Sequence, residues 1–198
     1  FLNGIVVNSL DWGAKELNEE SLHHFMLTQD KPGIAGVDTR ALTLHLREHG
    51  AQKAYLHVEE SEMSEEEGIQ KAKEWIGLDG QDYATKVSDP KGYDFSTEGK
   101  YNVIALDFGI KTNILRDLQS QDMKVTVMPI SATFEQIMSK KPDGVFLSNG
   151  PADPNSLLQV VAVVKQLLGK VPLMGICLGN QLLGLALGLS FMSKGLVG

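Results

Sequence analysis

The amino-acid sequence predicts an α/β protein, a doubly wound parallel sheet preceded by a domain of mixed α and β structure. Three observations carry this expectation. First, four short apolar runs of strand type, Val103–Leu106, Val125–Met128, Gly144–Leu147 and Val171–Ile176, alternate with helical patterns. Parallel neighbours need long crossovers, which helices supply, and the strands are then covered on both faces and apolar throughout. Second, the charge changes sign along the chain. Residues 1–99 hold nine Lys/Arg against nineteen Asp/Glu, and residues 100–198 hold nine against six. Third, Asp89 to Lys100 is rich in Pro, Gly, Ser and charge, the composition of a linker. The expected domains are therefore 1–99, linker included, and 100–198.

In the first domain Gly4 to Val7 is a short apolar run, and Leu17 to Met26 has an amphipathic pattern. Asp38 stands where a helix N-cap belongs, with Thr39 to His49 helical and Gly50 at the stop. Ala54 to Val58 resembles a strand. Ser64 and Glu67 form a capping-box pattern ahead of Ile69, Ala72, Trp75 and Ile76, which share a helical face. In the second domain helices are expected over Thr112–Gln121, Thr133–Lys140, Ser156–Leu168 and Leu178–Leu187. Sheets of this kind bind ligands outside the carboxyl ends of their strands. The loops after Leu106, Met128, Leu147 and Ile176 are therefore where chemistry is expected.

With 42% hydrophobic and 22% charged residues, the chain has the balance of a globular protein rather than a disordered one. A formal net charge of −7 argues against nucleic acid as a partner, because such binding needs a basic surface to displace counterions. Acidic runs such as Glu65, Glu66 and Glu67 read more simply as a solvated helix start than as a binding patch. The single cysteine excludes an internal disulfide and suits a reducing cytoplasm. The first residues carry neither a basic region nor a long apolar stretch, so no signal peptide is expected. Val171 to Ser193 runs 23 positions without a charge, which on paper is long enough to cross a bilayer. It also carries Pro172, four glycines, Asn180 and Gln181, so a buried strand and a buried helix explain it better and no membrane association is expected.

Two loops carry chemistry. Gly175-Ile176-Cys177-Leu178-Gly179 lies between an apolar run and an apolar helix, the Gly-x-Cys-x-Gly pattern of a nucleophile elbow with cysteine in place of serine. A tight turn there presents the side chain at the edge of the sheet, and flanking glycines relieve crowding in its backbone. The helix N-terminus beneath sets partial positive charge beside the sulfur, and the Leu178 N–H is placed to donate to an oxyanion. A small buried hydrophobe is the ordinary alternative for a free cysteine. Ser148-Asn149-Gly150-Pro151-Ala152-Asp153-Pro154 is a compact turn facing the same sheet edge, with backbone N–H groups for a second oxyanion donor. The same residue types also make ordinary strand-to-helix connections.

Phe146 to Pro151, followed by Pro172 to Gly179, resembles the class I, triad, glutamine amidotransferases. Asp107 to Arg116 and Pro32 to Thr43 narrow the resemblance to the small chain of carbamoyl-phosphate synthetase, over about the first residue to about Gly188. The combination is more specific than the elbow alone. It implies a flavodoxin-like fold, present here as an incomplete piece, and glutamine as substrate. Cys177 would attack the side-chain amide, releasing ammonia and leaving a glutamyl thioester that water hydrolyses. Gly150 and Leu178 match the oxyanion-holding positions, Gln181 matches a glutamine-binding side chain, and Ala152 falls in a substrate-contacting turn. The resemblance also implies a large synthetase subunit as partner, which would hold ATP and Mg; no cofactor and no metal site are expected in this chain. Service to pyrimidine or arginine biosynthesis follows from the same family.

Three departures from the family pattern stand out. Ala152 stands where glycine is usual, and Asn180 replaces a histidine that is not the catalytic base. All five histidines, His23, His24, His45, His49 and His57, lie in the first half, whereas the family's base and its orienting Glu form a His-x-Glu pattern beyond residue 198. Residues Ser190 to Gly198 also fail to match the family's continuation. The chain alone is therefore expected to be inactive, and a non-catalytic interaction module of the same complex is the alternative. Asp38 reads as a helix cap and Arg40 as a surface ion-pair partner rather than subunit contacts. Asp107 reads as a turn carboxylate accepting backbone N–H bonds, Lys111 and Arg116 as solvated, and Trp12 and Trp75 as packing residues.

Overall fold

The computed structural model describes residues 4–10, 21–58, 62–77 and 80–190. The chain forms two compact units that divide between Gly77 and Leu78. The expected boundary near residue 100 is thus displaced, because residues 80–99 pack with the second half of the chain rather than with the first.

The first unit is sparse. Strand β1 (Ile5–Val6) pairs in parallel with β2 (Gly33–Ile34), joined through helix α1 (Leu22–Thr28), which Ser21 caps. Of the amphipathic pattern over Leu17 to Met26, the described part from Leu22 is helical, and residues 11–20, Trp12 among them, lie outside the described residues. Helix α2 (Thr39–His49) matches its sequence signals: the Asp38 carboxylate accepts the Ala41 N–H at 2.9 Å, and Gly50 ends the helix at φ 79°. Helix α3 (Glu65–Glu74) opens on the expected capping box of Ser64 and Glu67. Ala54 to Val58 is not a strand, since none of the described residues offers it a ladder. The face expected from Ile69, Trp75 and Ile76 stays exposed, and Met26 is the one buried hydrophobic side chain of this unit among the described residues.

The second unit is built as its sequence predicts, with additions. Helix α4 (Ala84–Val87) and strand β3 (Tyr93–Asp94) precede the four expected strands, β4 (Tyr101–Asp107), β5 (Met123–Pro129), β6 (Gly144–Leu147) and β7 (Leu173–Gly175). Between and after these lie α5 (Thr112–Ser120), α6 (Phe134–Ser139), a 3-10 turn (Pro154–Ser156) leading into α7 (Leu158–Leu167), and α8 (Leu178–Ala186). The strand order is β3-β5-β4-β6-β7, parallel throughout except for β3. Without β3, the parallel strands in chain order lie 2-1-3-4, the beginning of the flavodoxin-like arrangement.

Side-chain alternation divides the core. Val103, Ala105, Val125, Val127 and Phe146 point to one face, where Leu115 of α5 closes over them. Ile104, Leu106, Val145 and Leu147 point to the other and meet Ile137, Val160, Val164, Leu178 and Leu182 from α6, α7 and α8. Burial on both faces is why β4, β5 and β6 read as unbroken apolar runs; β7, expected to be buried, lies at the edge of the sheet and leaves Met174 58% exposed. None of the helices among the described residues is long and apolar enough to cross a membrane, and Val171 to Leu189 folds as β7, an elbow and α8.

Candidate active site

Cys177 sits between β7 and α8 with φ 53° and ψ −113°, a conformation that L-residues other than glycine rarely adopt. Its side chain is exposed, as an elbow requires and as a buried structural cysteine would not be. The turn is held from several sides. The Ile176 N–H donates to the Leu147 carbonyl at 3.1 Å, the Gly179 N–H to the Ser148 carbonyl at 3.0 Å, and the Gln181 N–H to the Cys177 carbonyl at 3.1 Å. The loops after β6 and β7 are thereby tied together at the carboxyl ends of adjacent strands.

The two glycines of the motif are sterically required. A Cβ at Gly175 would stand 2.5 Å from the Gly179 carbonyl carbon, and one at Gly179 would run into the Leu147 carbonyl oxygen. The elbow is thus folded back on itself and seated on the end of β6. Leu178 is the first residue of α8, so its N–H has no partner within the helix and lies beside Cys177 in the chain.

The other loop is fixed by side chains rather than by regular structure. Ser148 Oγ accepts the Phe108 N–H at 2.9 Å and donates to the Asn149 carbonyl at 2.8 Å. Asn149 donates from Nδ2 to the Gly109 carbonyl at 3.1 Å and accepts the Lys111 N–H on Oδ1 at 3.2 Å. Gly150 lies so close to the Phe108 carbonyl that no Cβ would fit. Asp107 is buried and accepts N–H bonds from Asp89, Gly109 and Ile110 at 2.8, 2.9 and 3.0 Å, the turn role expected of it. The loops after β4 and β6 meet where the strand order reverses, the position at which open α/β sheets form their crevice.

Two segments of the chain match known families. The model for glutamine amidotransferase class I matches residues 104–195, and that for the carbamoyl-phosphate synthase small chain, CPSase domain, matches residues 1–56. Curated relatives agree over both segments. The carbamoyl phosphate synthase small chain of Mycolicibacterium paratuberculosis is 45% identical over 173 residues, 86% of this chain and 46% of the relative. Those of Methanopyrus kandleri and Acinetobacter baylyi are 41% and 39% identical, over 94% and 96% of this chain and 52% and 54% of the relatives. This chain belongs to the carbamoyl phosphate synthase small-chain family. It spans about half the length of the curated relatives it matches.

Within that family the structure brings the sequence-singled residues to one sheet edge only in part. Cys177, Leu178 and Gln181 lie on the elbow and the first turn of α8, Gln181 half-buried and Asn180 exposed. Gly150 lies on the neighbouring loop. Ala152 pairs its backbone with Asp82, and its methyl packs against the apolar cluster beneath α7. The histidines all belong to the first unit. Asn149, not singled out in the sequence, proves to clamp two loops. Its signal, an amide beside the glycine of a turn, is too common to be found without knowing which strands are neighbours.

Proposed function

We propose that this chain supplies the glutamine-hydrolysing function of a carbamoyl phosphate synthase, with Cys177 as nucleophile. The observation that carries the reading is the strained, exposed Cys177 held between a parallel strand and a helix N-terminus. In this reading the Cys177 sulfur attacks the side-chain amide carbon of glutamine, and the carbonyl π electrons move onto oxygen. The Leu178 and Gly150 N–H groups donate to that oxyanion, and Gln181 and the Ala152 turn hold the substrate. Collapse breaks the C–N bond, the departing nitrogen takes a proton and leaves as ammonia, and a glutamyl thioester remains. Water then attacks the thioester, releasing glutamate and restoring the thiol. The ammonia passes to a large synthetase subunit in the cytoplasm, where ATP and Mg drive carbamoyl phosphate formation for pyrimidine or arginine biosynthesis.

A non-catalytic module of the same complex is the second reading; within residues 1–198 the unit that holds Cys177 carries no histidine. General acid–base assistance is worth roughly 10²–10⁴-fold, and a nucleophile without its base loses most of its rate. The 198-residue chain should therefore release glutamate no faster than its Cys177→Ser variant, while a protein extended to the full length of its relatives should be active. Glutamate release in the short chain well above the Cys177→Ser level would overturn the need for an external base. An extended protein indifferent to Cys177→Ser would establish the non-catalytic reading.

A further inference from the structure

We propose that His45 and His49 form a binding site for a borderline divalent cation such as Zn2+ on the carboxyl-terminal half of α2. The two residues stand four apart on an eleven-residue helix, so their side chains leave the same face one turn apart. Both are exposed, and their rings stack with centroids 4.3 Å apart and planes inclined by 22°. Two imidazole nitrogens about 3.3 Å apart span a tetrahedral zinc with Zn–N bonds of about 2.0–2.1 Å.

Three further features point to a cation. His49 Nδ1–H donates to the His45 carbonyl at 3.0 Å, which makes Nε2 the ring's acceptor nitrogen and fixes its orientation. That is the backbone contact by which proteins commonly orient a metal-ligating histidine. The pair occupies the last turns of the helix, where the exposed carbonyl ends of the dipole favour positive charge. Residues 1–77, which contain α2, hold fourteen Asp/Glu against seven Lys/Arg, a field that concentrates cations around this part of the chain. Imidazole pairs suit zinc, copper and nickel rather than magnesium or calcium, which take oxygen ligands. No group of three or more candidate metal-ligating side chains occurs among the described residues, so water completes the coordination and the ion exchanges readily.

The test is calorimetric titration of the 198-residue chain with Zn2+ in a Cys177→Ser background, which removes the competing thiol. One saturable event is expected, weakened about tenfold or more by His45→Gln and equally by His49→Gln. It should be unchanged by the paired substitution His23→Gln and His24→Gln. Circular dichroism should show α2 intact in each variant, since both positions are exposed. Zn2+ affinity unaltered by either single substitution, or lost instead with His23 and His24, would overturn the proposal.

Discussion

Cys177 holds a conformation that costs an ordinary residue about 1–3 kcal/mol. Glycine adopts φ 53°, ψ −113° without that cost but loses about 0.5–1 kcal/mol more backbone entropy on folding. Because the Cys177 side chain is exposed, little packing is lost with it. A Cys177→Gly variant should therefore be more stable than the parent by roughly 1 kcal/mol, read as a raised urea midpoint at unchanged slope. An unchanged or lowered midpoint would show that the elbow stores no strain. Asp107 behaves oppositely. Its carboxylate accepts three backbone N–H groups from a buried position, and Asn at this site turns an amide donor toward at least one of them. Asp107→Asn should cost about 1–3 kcal/mol in thermal or chemical unfolding. A cost below about 0.5 kcal/mol would mean that water readily replaces the missing acceptor.

Among the elements, β6, β7 and α8 act as one piece. Gly179 lets α8 start directly against the Leu147 carbonyl, and Gly175 lets the turn close on Gly179. Gly179→Ala pushes a methyl into backbone that cannot rotate away, at a cost of about 1–3 kcal/mol or more. The same change should slow modification of Cys177 by a glutamine-like electrophile more than by iodoacetamide, because it displaces the loops proposed to hold glutamine rather than the thiol. Equal slowing by both reagents would place the damage in global folding instead. The parallel strands β4, β5 and β6 were legible in the sequence because burial on both faces leaves their apolar runs free of charge. The segment 80–99 was not. Its serines and turn formers have a linker's composition, yet Ser96 Oγ accepts the Val125 N–H at 2.9 Å and Ser88 Oγ accepts that of Ile130 at 3.0 Å. They satisfy backbone of β5 and of the turn after it, 29 and 42 residues away, a service that local composition cannot reveal. The expected strand at Ala54 to Val58 failed for the converse reason, its β-type residues lacking a ladder to join.

For the whole molecule, the contrast between the units sets stability. The second unit has two apolar clusters around a five-stranded sheet, whereas the first pairs two short strands and leaves Phe25, Leu27, Leu44, Val58 and Ile76 at least 48% exposed. Two strands over so little buried surface are marginal in water. Amide hydrogens of α1, α2 and α3 should exchange well before those of β4, β5 and β6, and the chain should self-associate on size exclusion. Uniform protection across both units in a monomer would contradict this. The elbow itself was legible from five residues, because Gly-x-Cys-x-Gly states its own steric demands. Its partners on the neighbouring loop were legible through the family resemblance, and the Asn149 clamp only through topology. The central claim is that Cys177 is presented to glutamine. The measurement that tests it most directly is mass spectrometry of the native chain treated with a chloroketone analogue of L-glutamine. The account predicts a saturable adduct on Cys177 that L-glutamine suppresses and D-glutamine does not. Labelling only after denaturation, or labelling that L-glutamine leaves unaffected, would contradict it.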